Sequence, residues 1–218
     1  MSLTNKLAQK ISTELNYDSE KSAVISYGIF AFFQIIASLI IVSLIGLCIG
    51  VLFQVLVISF AISILRQYSG GIHATRPSVC LIISTVVTIV IATVSHYLLV
   101  YIDAIYLISI CVLLLILSYY LIAKCAPVDT PQKPIKTQSK RERMKKLSLI
   151  VLSVYSICVC ILTIVYFVKK DIHCLEYATC LCMASGWQVF TLTMKGHRYL
   201  RKVDAFLNKI LFKSSEDN

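Results

Sequence analysis

Arg66-Gln-Tyr-Ser-Gly70-Gly71-Ile-His73-Ala-Thr-Arg76-Pro77-Ser-Val-Cys80 is a short polar island between long apolar runs. Upstream, residues 23–65 form one apolar stretch with Gly46 and Gly50 at its expected turn. A bilayer-spanning helix needs about 20 apolar residues, so this stretch holds two spans. Downstream lie four more apolar runs, at 79–101, 104–123, 147–168 and 174–194. The expected fold is an all-α polytopic membrane protein with about six transmembrane helices and an amphipathic helix at each terminus.

Composition agrees with that reading. Of 218 residues, 58% are hydrophobic and 15% charged, with a mean hydropathy of +0.81. Soluble domains are about 45–50% apolar and about 25% charged. The expected organisation is an amphipathic N-terminal segment at 1–22, a six-helix membrane domain at 23–194 and a basic tail at 195–218. No cleavable signal peptide is expected, because lysines and acids are mixed through the first 22 residues and no apolar core follows the expected pattern. Leu3, Leu7, Ile11 and Leu15 recur every four residues. They suit a helix lying on a membrane surface or an ordinary solvated one. Leu200, Val203, Leu207 and Ile210 repeat the pattern among basic residues near the C-terminus.

Charge sets the orientation. With the N-terminus inside and six spans, 19 of the 21 lysines and arginines fall on the cytoplasmic side. Only Lys169 and Lys170 fall on the other, and the inverted arrangement breaks the positive-inside rule. The expected location is the cell membrane, with both termini and the polar island at the cytoplasmic side. A basic inner face attracts anionic lipid headgroups. Nucleic acid is not expected as a partner, since the basic residues flank spans rather than form a soluble basic fold.

The nine cysteines are odd in number, and most lie within apolar runs, so no disulfide framework is expected. Cys158/Cys160 and Cys180/Cys182 are two apart on predicted helices and do not face each other, so no metal site is expected. No cofactor is implied. His173 and Cys180 copy the spacing of His73 and Cys80, but without the glycine pair or the proline, and are read as structural. His96, near the outer end of the third predicted span, is read as interfacial.

The island itself carries chemistry. A cysteine attacks as its thiolate and needs a neighbour that favours the anion. His73 is the candidate base for Cys80. Pro77 predicts a helix start, which puts Cys80 in a first turn where the helix dipole favours the thiolate. On an unbroken helix the two side chains would lie about 10 Å apart along the axis, whereas proton transfer needs about 3 Å. The segment must therefore bend, and Gly70, Gly71 and Pro77 allow it. Arg66 is either a clamp for a carboxylate or developing oxyanion, or a snorkelling helix cap.

The island resembles that of the accessory gene regulator B family, AgrB, membrane endopeptidases of peptide quorum sensing. The family pattern places an Arg seven residues before a His, a Gly two before it and a Cys seven after it, matched here by Arg66, Gly71, His73 and Cys80. A second match is Ala126-Pro127 followed by Lys133-Pro134. Positions 67–69 read Gln-Tyr-Ser, where relatives often carry basic residues or histidine. The resemblance implies an AgrD-type precursor peptide as substrate, cleaved before its charged C-terminal tail through an acyl-thioester on Cys80. The precursor's own Cys or Ser would then close a thiolactone or lactone ring. Asp129 is the candidate to orient His73, or else a turn residue between Pro127 and Pro131. Two other readings compete: a peptide exporter with a broken-helix site, and a non-catalytic membrane subunit. A homodimer is also expected, on the small residues Ala184, Ser185 and Gly186.

Overall fold

The computed structural model describes the backbone of residues 19–72, 74–129 and 137–212. The expected amphipathic helix at 1–22 therefore lies almost wholly outside the described residues. Among the described residues seven helices succeed one another: α1 (Ser19–Cys48), α2 (Leu52–Ser69), α3 (Pro77–Tyr101), α4 (Ala104–Cys125), α5 (Gln138–Lys169), α6 (Ile172–Phe190) and α7 (Met194–Phe212). No strand is present among the described residues; one isolated parallel bridge joins Gly70 to Val128. The chain divides into two units within α1, between Ile41 and Val42. The second unit, from Val42 onward, contains the polar island and the helices that pack around it.

The predicted apolar runs fall on α1–α6. Among the described residues, α2, α3, α4 and α5 are long and apolar enough to cross a membrane, and α1 adds the apolar stretch Phe32–Cys48. The long apolar run at 23–65 breaks at 49–51, where Gly50 takes a positive φ of 78°. The outward faces are apolar: Phe53, Phe60, Val90, Leu113, Ile116 and Ile164 are all exposed. An aqueous monomer rarely exposes so continuous an apolar surface, and lipid is its natural solvent.

The helix α5 starts at Gln138, nine residues ahead of the expected span. The added turns are Gln-Ser-Lys-Arg-Glu-Arg-Met-Lys-Lys, mostly strong helix formers that are too polar for hydrocarbon. Hydropathy marks where the bilayer ends, and propensity marks where the helix ends.

The centre of the bundle is α6, which packs against α2, α3, α4 and α5. It is less lipid-like than its neighbours because protein encloses it: Glu176, Thr179, Ser185 and Gln188 are all buried along its length. Each must find a partner, since the bilayer core offers no water. Thr179 and Ser185 donate to the carbonyls four residues back, Leu175 and Leu181. Glu176, 2% exposed, accepts from Gln54 Nε2 at 2.6 Å and lies 2.7 Å from His96 Nδ1. His173 Nδ1 lies 3.3 Å from its other oxygen. The two histidines set aside in the sequence thus meet on one carboxylate, joining the start of α2, the end of α3 and the start of α6. At the far end of α6, Gln188 Nε2 donates to Ser69 Oγ at 3.0 Å and to the Gly70 carbonyl at 2.8 Å. Hence α2 and α6 run parallel. Tyr155 Oη on α5 donates to the Ala61 carbonyl of α2 at 2.9 Å, completing the clamp on α2.

Removing the carboxylate by Glu176→Leu leaves Gln54 without its acceptor in a dry interior. The expected loss is about 1–3 kcal/mol, the desolvation cost of an orphaned polar group, with Glu176→Gln losing less. Thermal unfolding of the detergent-solubilised variants checks the order; equal melting temperatures for wild type and Glu176→Leu would remove the network from the stabilising interactions.

Candidate active site at the polar island

Parallel α2 and α6, with antiparallel neighbours, bring the ends of α2, α4 and α6 and the starts of α3 and α5 to one end of the bundle. The polar island lies there. It leaves α2 at Gly70, whose N–H closes the helix onto the Arg66 carbonyl at 2.9 Å. Gly70 then turns to φ 73°, ψ −151°, a region that L-residues essentially do not occupy. A side chain there would run into the Val128 carbonyl oxygen. Gly71 adopts φ 136°, with Thr191 Oγ1 and Gln188 Nε2 where a Cβ would need room. The glycine pair is needed for close approach as much as for flexibility.

That close approach joins two loops. Val128 N–H donates to the Ser69 carbonyl at 3.0 Å, so the segment after α4 pairs with the segment after α2. The Ala126–Pro127 peptide bond is cis. Arg141 on α5 fastens the same segment, with Nη2 on Asp129 Oδ2 at 2.6 Å and Nη1 on the Pro127 carbonyl at 3.4 Å. The Asp129 carboxylate, read from sequence as an orienter or a turn residue, is therefore engaged with a guanidinium. Arg66 Nη2 donates to the Ile72 carbonyl. This head group braces the island's backbone from the last turn of α2.

Cys80 sits in the first turn of α3. The helix starts at Pro77, with Arg76 in an extended conformation at the N-cap and no side-chain cap. The Cys80 N–H makes an early helical bond, to the Arg76 carbonyl at 3.0 Å. The thiol is free and partly buried. First-turn amides upstream of it lack intrahelical acceptors, and the helix dipole there favours negative charge. His73 lies outside the described residues.

Sequence reasoning missed the far wall of this end. Thr75 is held from α7: its N–H donates to Asp204 Oδ1 at 3.2 Å, and its Oγ1 accepts from Asn208 Nδ2 at 2.9 Å. Gln188 Oε1, His197 Nε2 and Asn208 Oδ1 are buried with no hydrogen-bond partner among the described residues. Polarity in a dry setting is the available signal for Gln188. For Asp204 it is being the sole acid in the basic helix Met194–Phe212. All nine cysteines are free, and no cluster of three metal-ligating side chains occurs among the described residues. An apolar groove of about 700 Å³ opens between α2, α5 and α6, lined by Phe53, Phe60, Ile64, Tyr155, Cys158 and Leu181 among others. It contains no group from the island.

The family model described as accessory gene regulator B matches residues 4–192. An AgrB-like protein of Clostridium perfringens (strain SM101 / Type A) is 34% identical over 210 residues, covering 96% of this chain and 98% of its own length. AgrB-like protein 2 of Clostridium perfringens (strain 13 / Type A) is 34% identical over 218 residues, with the same coverage of both chains. No solved structure matches.

The loop pairing predicts the effect of one methyl group. Gly70→Ala forces a forbidden backbone region and a clash with Val128, so the two loops must part. The expected result is faster proteolytic cleavage within residues 71–76 and a melting temperature several degrees lower. Gly28→Ala, on an open helical surface, is the control and should show neither. Unchanged proteolysis of Gly70→Ala would show that the pairing does not hold the island.

Proposed function

Because the chain belongs to the accessory gene regulator B family, we propose that it is the membrane-embedded cysteine endopeptidase of an accessory gene regulator system. Cys80 is the nucleophile and His73 the base. The single observation that carries this reading is the position of Cys80: a partly buried free thiol in the uncapped first turn of α3. It sits at the end of the bundle where three loops and α7 converge. In a first turn the backbone amides have no helical acceptors and can serve a reacting group.

The substrate is an AgrD-type precursor peptide. His73 takes the Cys80 thiol proton, and the thiolate attacks the carbonyl carbon of the peptide bond before the precursor's tail. The tetrahedral oxyanion collapses, the C–N bond breaks, and the imidazolium returns its proton to the leaving amine. The tail departs and the remainder stays on Cys80 as a thioester. The precursor's own thiol or hydroxyl then attacks that thioester, giving a cyclic thiolactone or lactone and the free Cys80 thiol. Exchange of one thioester for another is nearly isoenergetic, so departure of the tail pulls the sequence forward. Excluding water favours ring closure over hydrolysis.

Arg66, Gly70 and Gly71 support the site rather than react. The Arg66 guanidinium lies at the mouth of α2, tied to the Ile72 carbonyl, and is the island's candidate group for a carboxylate or oxyanion. Asp129, paired with Arg141, is assigned to fastening the loop after α4. The island faces the cytoplasm on the strength of the positive-inside bias. Basic side chains on that face, Lys140, Arg143, Lys146, Lys195 and Arg198, draw in anionic headgroups and an acidic peptide tail.

Co-expression of the chain with a candidate precursor tests the reading. Cys80→Ser and His73→Ala should each insert normally and lose cleavage by about 1,000-fold or more, as nucleophile and base act as a unit. Cleavage at wild-type rate by both variants would end the peptidase assignment.

A further inference from the structure

The proposed chemistry makes no use of α7, yet α7 grips the island through two hydrogen bonds. Asp204 is 8% exposed on a helix whose other charges are all basic. Arg201, three residues earlier on the same helix, is within pairing reach. Instead its Oδ1 accepts the main-chain N–H of Thr75 at 3.2 Å and the side-chain amide of Asn208 at 3.2 Å. Asn208 Nδ2 also reaches the Asp204 carbonyl at 2.8 Å and Thr75 Oγ1 at 2.9 Å. Two residues of α7, one helical turn apart, therefore hold both the backbone and the side chain of one island residue.

Thr75 is two residues after His73 and two before Pro77. The island is fixed upstream by Gly70 on Val128 and by Arg66 on Ile72. Between Ile72 and the start of α3, α7 holds the chain at Thr75.

We infer that Asp204 and Asn208 are positioning residues: they hold the second half of the island through Thr75 and so set the base-bearing loop against the helix that carries Cys80. This rests on the assignment of Cys80 as nucleophile and extends it to a helix that the proposed steps do not use. A misplacement of about 1 Å in a reacting constellation can cost about 100-fold in rate. The latch therefore governs turnover more than binding.

The test uses the full-length protein in nanodiscs containing phosphatidylglycerol, with two readouts. The first is the rate of N-ethylmaleimide addition to Cys80, followed peptide by peptide against Cys48 and Cys160 as internal controls. The second is initial cleavage rate across precursor concentrations. Asp204→Leu and Asn208→Leu should change the Cys80 labelling rate at least about 5-fold and leave both control cysteines unchanged. They should lower the maximal cleavage rate about 10-fold or more while half-saturation moves less than about 2-fold. Asp204→Asn keeps an oxygen acceptor for Thr75 N–H and should recover at least roughly a third of the maximal rate. Thr75→Val, at an exposed position, removes only the hydroxyl and should show a smaller loss of about 3-fold, which keeps the test open if the leucine variants fail to fold. Wild-type labelling and turnover in Asp204→Leu, or Asp204→Asn as impaired as Asp204→Leu, would overturn the inference. Cleavage that persists in Cys80→Ser would instead overturn the peptidase assignment, and Cys80 labelling in the α7 variants would still judge the latch on its own.

Discussion

A buried amide or carboxylate in hydrocarbon has no water to fall back on, so it must be placed opposite a partner or not placed at all. The second unit of this chain is organised by that constraint along α6. Its apolar neighbours could slide on one another at little cost, since lipid tails resemble Leu and Ile chemically. Glu176 and Gln188 prevent it. One binds the start of α2 and the end of α3. The other binds the end of α2 and the first glycine of the island. The same helix that fixes the bundle's register therefore also fixes where the island begins.

From that anchor the site is assembled by short links. Gln188 holds Gly70, Gly70 pairs with Val128, and Arg141 holds Asp129 one residue further on. Each link joins elements far apart in the chain or across a loop, and each falls at one end of the bundle. Groups held this way need not be carried by rigid helices themselves. Non-helical backbone at this level is tolerated where it lies against protein, and here it is braced by α2, α5, α6 and α7 together.

Much of this is legible in the sequence. Hydropathy locates the spans because burial in lipid is a bulk requirement on every residue of a run. Pro77 locates the start of α3 and so the first-turn position of Cys80, because proline's fixed φ suits a helix start and little else in that context. Gly70 and Gly71 read as a bend, and the bend is present. Hidden from sequence are the tertiary partners. His96 and His173 lie far apart in the chain and share one carboxylate only because α3 and α6 pack side by side. Thr75, Asp204 and Asn208 carry no motif. Their roles exist only once α7 folds back against the island. Hydropathy also places the start of α5 too late, because Lys and Arg end a hydrophobic run without ending a helix.

That extended start of α5 has a mechanical meaning. Its 32 residues at about 1.5 Å each make a rod of about 48 Å, against a hydrocarbon core of about 30 Å. Several turns therefore stand clear of the acyl chains as a stiff cationic post beside the island. Its reach exceeds the screening distance of about 8 Å in physiological salt. In the proposed role, an incoming anionic peptide is captured by the post before it touches lipid. Raised ionic strength weakens that capture and leaves the bond-making steps at their usual pace.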